Sequence, residues 1–183
     1  MVSMETLRRI LSASMTLEIG FLGAGHMGHA ILEGGLAAGL WTPPSVLVVD
    51  HEAPRRARAS DAGCVVNEQA GSLRDVPVLV CCVRPQDFPA AAAAICPSQG
   101  QLVISVMAGV ESQTIAAAFG AGTRVIRAMP NAPAAIGHGM TAIARGIGAT
   151  QDDAAYADRI FAGVGCTVQV DESAMCAVTA VSG

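Results

Sequence analysis

Residues 19–28 read Ile-Gly-Phe-Leu-Gly-Ala-Gly-His-Met-Gly, and the reading of this stretch decides the fold. An apolar run from Leu17 to Leu22 ends in glycines at positions 23, 25 and 28. A segment with helical spacing, His26 to Gly39, follows at once, carrying Met27, Ala30, Ile31, Gly34 and Leu36 and stopping at a glycine. The spacing alone is weak; its place between a strand and a helix is what makes it informative. Gly23 permits a tight turn, Gly25 lets the backbone approach a pyrophosphate, and Gly28 lets the helix pack close to the strand. The helix start then offers unpaired N–H groups and the positive end of its dipole to phosphate. The stretch therefore points to a dinucleotide site.

Working outward, strand-like and helical segments alternate. Strands are expected at 45–50, after the Pro43-Pro44 turn, and at 76–83, 101–106, 123–128, 140–144 and 167–170. Helices are expected at 53–62, with Arg55, Arg56 and Arg58 outward, and at 87–95, 111–119 and 152–162. The strands are almost continuously apolar, as strands buried on both faces are. The fold expected is α/β: a Rossmann-type, doubly wound, mostly parallel sheet with helices on both faces. Asp50 ends the second strand about 20 residues past the loop, where a carboxylate can accept from ribose hydroxyls and favour NAD. Arg55 and Arg56 lie near enough to reach a 2′-phosphate, which favours NADP. Both nucleotides stay open at this point.

Composition narrows the partners. With 52% hydrophobic and 14% charged residues the chain is not disordered. A net charge of −4 offers no basic face for nucleic acid. No apolar run is long enough for a membrane span without interruption. The six cysteines (64, 81, 82, 96, 166 and 176) form no CxxC pair, and they read as buried thiols of a reducing compartment, hence a cytoplasmic protein with no metal site. Residues 1–14 read as an extension or remnant, with the dinucleotide-binding domain at 15–170.

Four further stretches extend the reading: Cys82-Val-Arg-Pro-Gln86, Val103-Ile-Ser-Val-Met-Ala-Gly109, Arg124-Val-Ile-Arg-Ala-Met-Pro-Asn-Ala-Pro133, and the run from Val164-Gly165 to Ala177-Val-Thr-Ala-Val-Ser-Gly183. With the glycine loop they resemble pyrroline-5-carboxylate reductases, from about Leu17 to the last residue. Arg-x-Met-Pro-Asn-x-Pro is the most specific of them. The resemblance implies hydride transfer from NADPH or NADH to a cyclic imine, giving proline, the last step of proline biosynthesis. It implies cofactor contacts from Gly23, Gly25, His26, Met27, Gly28, Asp50, His51, Gln69, Val83, Arg84, Pro85, Ala108, Gly109 and Asn131. The chain departs from the family at Arg84, where Lys is usual, at Ala132, where Thr is common, and at Gln69, where an Asn is often found and Asn67 stands two residues earlier. The family continues past Ser182-Gly183 into a helical dimerisation domain. Residues 171–183 are therefore expected to be its truncated start, the full-length protein a homo-oligomer, and this chain alone a cofactor binder with little activity.

The chemistry itself falls to the cofactor, with the protein supplying orientation and electrostatics. An iminium accepts hydride better than a neutral imine, yet no residue here is an obvious acid, and none is assigned as catalytic. His26 and His29 flank the loop, and His51 and His138 lie in turns, positions that read as surface. Met107-Ala108-Gly109 ends a strand where ligands bind in open α/β sheets, and it is placed to wall the nicotinamide. Asn131 has two readings, a turn residue before Pro133 or an amide at the nicotinamide side. Asp171 and Glu172 read as favouring a helix N-terminus electrostatically. Two other functions fit the residues: a reductase of the hydroxyacid-dehydrogenase type, and a dinucleotide-binding module without turnover.

Overall fold

The computed structural model describes residues 16–96 and 100–182, so the expected extension at 1–14 lies outside the described residues. In chain order these form β1 (Ile19–Leu22), α1 (His26–Ala37), β2 (Val46–Val49), α2 (Ala53–Asp61), β3 (Val65–Asn67), β4 (Val78–Cys81), α3 (Phe88–Ile95), β5 (Leu102–Ser105) and α4 (Ser112–Phe119). Then come β6 (Arg124–Pro130), β7 (Gly139–Arg145), α5 (Gln151–Ala162), β8 (Gly165–Gln169) and α6 (Met175–Ser182). The strands make one sheet in the order β3-β2-β1-β4-β5-β6-β7-β8. The first six are parallel; β7 runs antiparallel to β6 and parallel to β8. The chain winds outward from β1 in both directions, so the order reverses between β1 and β4, where an open α/β sheet forms its ligand crevice.

Each face of the sheet is covered. Ile19, Phe21, Val48, Val80, Ile104 and Ile126 point to the layer of α1, α2 and α5, where Ile31, Ala59, Ile160 and Phe161 meet them. Leu47, Leu79, Val103 and Val125 point the other way, to Phe88, Ile95, Ile115 and Phe119 of α3 and α4. This division is the period-2 alternation of strands, hidden in the sequence because both faces are apolar. The Trp41 indole donates to the Tyr156 hydroxyl at 2.9 Å and meets Phe21 edge-on, tying the α1–β2 connection to α5.

Several expectations need correction. β3 was missed: it is three residues long, half-exposed and at the sheet edge, so it shows no apolar run. Only Cys64 and Cys81 are buried; Cys82 is half-buried, and Cys96, Cys166 and Cys176 are exposed. His29 is not a surface residue. It is 4% exposed on α1, with Nε2 2.8 Å from Oε1 of Glu33, one turn on. Arg55 and Arg56, expected to face outward, are half-buried and ion-paired. Beside these corrections, a 3-10 turn at 172–174 leads into α6, where Met175 is buried against Ala142 and Ala144. Among the described residues, no helix is long and apolar enough to cross a membrane.

Helices α1 and α5 are held close by glycine. A methyl added at Gly34 would lie 2.6 Å from Cγ1 of Val164 and 2.8 Å from the Gly163 carbonyl oxygen. Gly34→Ala is expected to destabilise by about 1–2 kcal/mol net: overpacking against a backbone carbonyl costs roughly 2–3 kcal/mol, against the ~1 kcal/mol that Ala gains over Gly in a helix. Urea unfolding measures this; an unchanged midpoint would contradict so tight a crossing.

Candidate dinucleotide site

The loop after β1 owes its shape to two of its three glycines. Gly23 has φ +92°, and a Cβ there would stand 2.9 Å from the Cys82 carbonyl oxygen. A Cβ at Gly28 would stand 2.3 Å from the carbonyl oxygen of Gly23. Both positions are closed by the protein itself. Gly25 differs: its φ is −66°, open to any residue, and an added Cβ would find only the Arg55 guanidinium, at 3.9 Å. The fold does not require glycine there. Space beside that backbone is what a closely approaching phosphate needs.

Gly25 is the N-cap of α1, with no side-chain cap and no acidic residue in the first turn. The first N–H groups of the helix therefore face outward with its positive dipole end, which is the arrangement that binds anions. His26, at the first helical position, is exposed, whereas Met27 packs against the core.

Asp50 fixes the loop. Its side chain is 2% exposed, and Oδ2 accepts from the Ala24 N–H at 2.8 Å while Oδ1 accepts from the Glu52 N–H at 2.8 Å. Arg56 donates to the Asp50 carbonyl at 2.8 Å and lies 3.4 Å from Glu68. Arg55, 40% exposed at its side chain, lies 2.9 Å from Glu52 and 3.5 Å from Asp50. The carboxylate expected to read ribose hydroxyls thus has a backbone N–H on each oxygen, and Arg55 sits between it and Gly25.

These groups border a cleft of about 620 Å³ at the carboxyl ends of β1, β2 and β4. Of the residues expected at the cofactor, Gly23, Gly25, Asp50, His51, Val83 and Arg84 line it. His51 is exposed, with ring nitrogens 3.7 Å from Asp50 and 3.8 Å from Glu52. Arg84 is exposed and donates to Asp87 at 2.8 Å. Gln69 and Pro85 are neighbours of the lining residues rather than part of it, and the Gln69 N–H donates to the Asn67 side chain at 2.9 Å. Sequence reading missed Glu68 and Ala70 because it missed β3, which delivers them; it also passed over Cys82, Asp87 and Ala91. Desolvation pushes the Cys82 thiol up to about 12, so it lines the cleft as a neutral thiol.

Ala108, Gly109 and Asn131 stand apart from this cleft, past the ends of β5 and β6. Ala108 and Gly109 are exposed, and Gly109 has φ +72° with open space where a Cβ would be. The Asn131 side-chain oxygen accepts from the Met140 N–H at 2.9 Å, and the Asn131 N–H donates to the Met140 carbonyl at 3.3 Å, so the residue pins its turn to β7.

Comparison with known proteins places the chain among oxidoreductases. Residues 18–109 match the family described as NADP oxidoreductase coenzyme F420-dependent. The pyrroline-5-carboxylate reductase of Methanosarcina acetivorans is 38% identical over 170 residues, 91% of this chain and 63% of the relative. The solved structure of a pyrroline-5-carboxylate reductase from Coxiella burnetii superposes with a TM-score of 0.84 at 26% identity, over 92% of this chain and 64% of that one. The Plasmodium falciparum pyrroline carboxylate reductase, solved with NADP bound, has the same fold, with a TM-score of 0.79 at 23% identity, covering 91% of this chain and 62% of that one. The chain thus spans less than two thirds of the relatives it matches.

The glycines make separable predictions. Gly25→Val should leave the thermal midpoint nearly unchanged yet weaken dinucleotide binding at least tenfold. Gly28→Ala should lower the midpoint by several degrees. Titration calorimetry and thermal melts check both; full affinity in Gly25→Val would remove the phosphate loop from the site.

Proposed function

The chain belongs to the NADP oxidoreductase coenzyme F420-dependent family, and we propose that it is the dinucleotide-binding part of an NADPH-dependent pyrroline-5-carboxylate reductase. The observation that carries the reading is the cleft at the switch point, where Gly25 leaves open the space a pyrophosphate would fill. Its kinship with reductases of that name supports the substrate, a cyclic imine reduced to proline.

Bound there, the nucleotide would supply a hydride from the nicotinamide. The residues of this chain bind and orient. The N–H groups at the start of α1 take the pyrophosphate, with His26 beside them. Val83 forms apolar wall and Arg84 offers a cation at the cleft. Ala108 and Gly109, past β5, and Asn131, past β6, would border the nicotinamide half, because a dinucleotide lies across the switch point with its halves on opposite sides.

The adenosine end favours NADPH on this reading. Asp50 is committed to the loop backbone, which weakens the case for a carboxylate reading the ribose. Arg56 is held by the Asp50 carbonyl and Glu68, so Arg55 is the cation nearer the cleft mouth with its guanidinium part-exposed. A hydrogen bond to a charged partner contributes about 1.5–3 kcal/mol, roughly tenfold or more in affinity.

Arg55→Ala should therefore weaken NADPH about tenfold and NADH less than twofold, read from dissociation constants measured side by side. An equal effect on the two would remove Arg55 from 2′-phosphate recognition. In the same preparation, pyrroline-5-carboxylate should be reduced far more slowly than by a full-length relative. Turnover at the full-length rate would contradict the reading of these 183 residues as the binding part alone.

A further inference from the structure

A second polar cluster lies away from the cleft, where the end of the chain meets the start of α4. Glu172 comes from the 3-10 turn before α6. Its Oε1 accepts from the Ser112 N–H at 2.8 Å and its Oε2 from the Ser112 hydroxyl at 2.7 Å. Arg127 of β6, 3% exposed, reaches Oε1 at 3.4 Å. The Ser112 hydroxyl in turn accepts from the Ile147 N–H at 3.1 Å. Glu172 was expected to favour a helix N-terminus; the helix it serves is α4, 60 residues earlier, not its own.

The position of Ser112 gives this cluster a consequence. It is the first residue of α4, directly after the 106–111 loop that carries Ala108 and Gly109. The upstream end of that loop is tied to the sheet: Val106 N–H donates to the Cys81 carbonyl at 3.1 Å, and Met107 N–H to the Ser105 hydroxyl at 3.2 Å. Its middle is exposed, and a Cβ added at Gly109 would meet nothing within 4 Å. The downstream end is held by Glu172, which the buried Arg127 meets at 3.4 Å. Removal of the Glu172 carboxylate would leave the buried Arg127 guanidinium without this partner, which is costly.

We propose that Glu172 is a positioning residue for the nicotinamide half of the cofactor. It couples the segment preceding α6 to the loop after β5, so that the placement of Ala108 and Gly109 depends on a carboxylate from the end of the chain. The inference rests on the dinucleotide reading and deepens it: the adenosine half is held by β1, β2 and β4, which Glu172 does not touch.

The test compares two ligands on the same chain, NADPH and 2′,5′-ADP, which has the adenosine-side phosphates but no nicotinamide. In Glu172→Gln, NADPH affinity should fall about tenfold while 2′,5′-ADP stays within twofold. Glu172→Asp, which keeps the charge, should recover part of the loss. Equal weakening of both ligands, or no weakening of either, would overturn the proposal. Hydrogen exchange on the unmodified chain tests it without any variant: NADPH should protect 106–112 and 171–175 together, and 2′,5′-ADP neither. Protection of 106–112 without 171–175 would likewise overturn it. Unmodified chain that binds neither ligand would overturn the dinucleotide reading and this inference with it, a result distinct from binding with an unmoved ratio.

Discussion

The carboxylate of Asp50 is the constraint on which the candidate dinucleotide site depends. It sits at the end of β2, buried, and accepts one backbone N–H from the glycine loop and one from the start of the next connection. Bonds to a charged acceptor are stronger than neutral ones, and a buried carboxylate left without them would be costly. The loop after β1 and the turn after β2 are therefore held by one side chain. With Ala24 anchored, Gly23 at positive φ and Gly28 close against Gly23, Gly25 is the loop glycine with open space beside it.

The same economy governs the charges around the cleft. Arg55 and Arg56 both turn toward Asp50, but Arg56 donates to its carbonyl while Arg55 lies alongside the carboxylate and Glu52. Three acids, Asp50, Glu52 and Glu68, and two guanidiniums thus form a linked rim rather than a bare cationic patch, in keeping with a chain whose net charge is −4. At the far side of the sheet Glu172 and Arg127 repeat the device, a carboxylate paired with arginine while also serving a helix start. In each case the carboxylate joins segments distant in sequence.

Much of this was legible in the sequence. The glycine spacing, the apolar strands and the helical segments located almost every element, because strands buried on both faces and helices with glycine stops leave strong local patterns. The glycine loop and the residues after β4 that line the cleft stand in the same local patterns. What escaped were features decided by tertiary contact. β3 is too short and exposed to show a pattern, and Glu68 and Ala70 went with it. His29 is buried by its place on α1, and three cysteines are exposed by theirs. Asp50 stood at the right position for a ribose contact, but nothing local shows that the Ala24 N–H lies 2.8 Å from its carboxylate. Glu172 likewise gave no sign of a partner 60 residues away.

The central claim is that Asp50 builds the loop rather than choosing the nucleotide, and Asp50→Asn tests it most directly. The amide keeps the size but replaces one acceptor with a donor facing a backbone N–H. Dissociation constants for NADH and NADPH, measured on the variant and the unmodified chain, should weaken by the same factor, with the thermal midpoint falling as well. A variant that loses NADH alone and keeps both NADPH and its melting temperature would contradict the account.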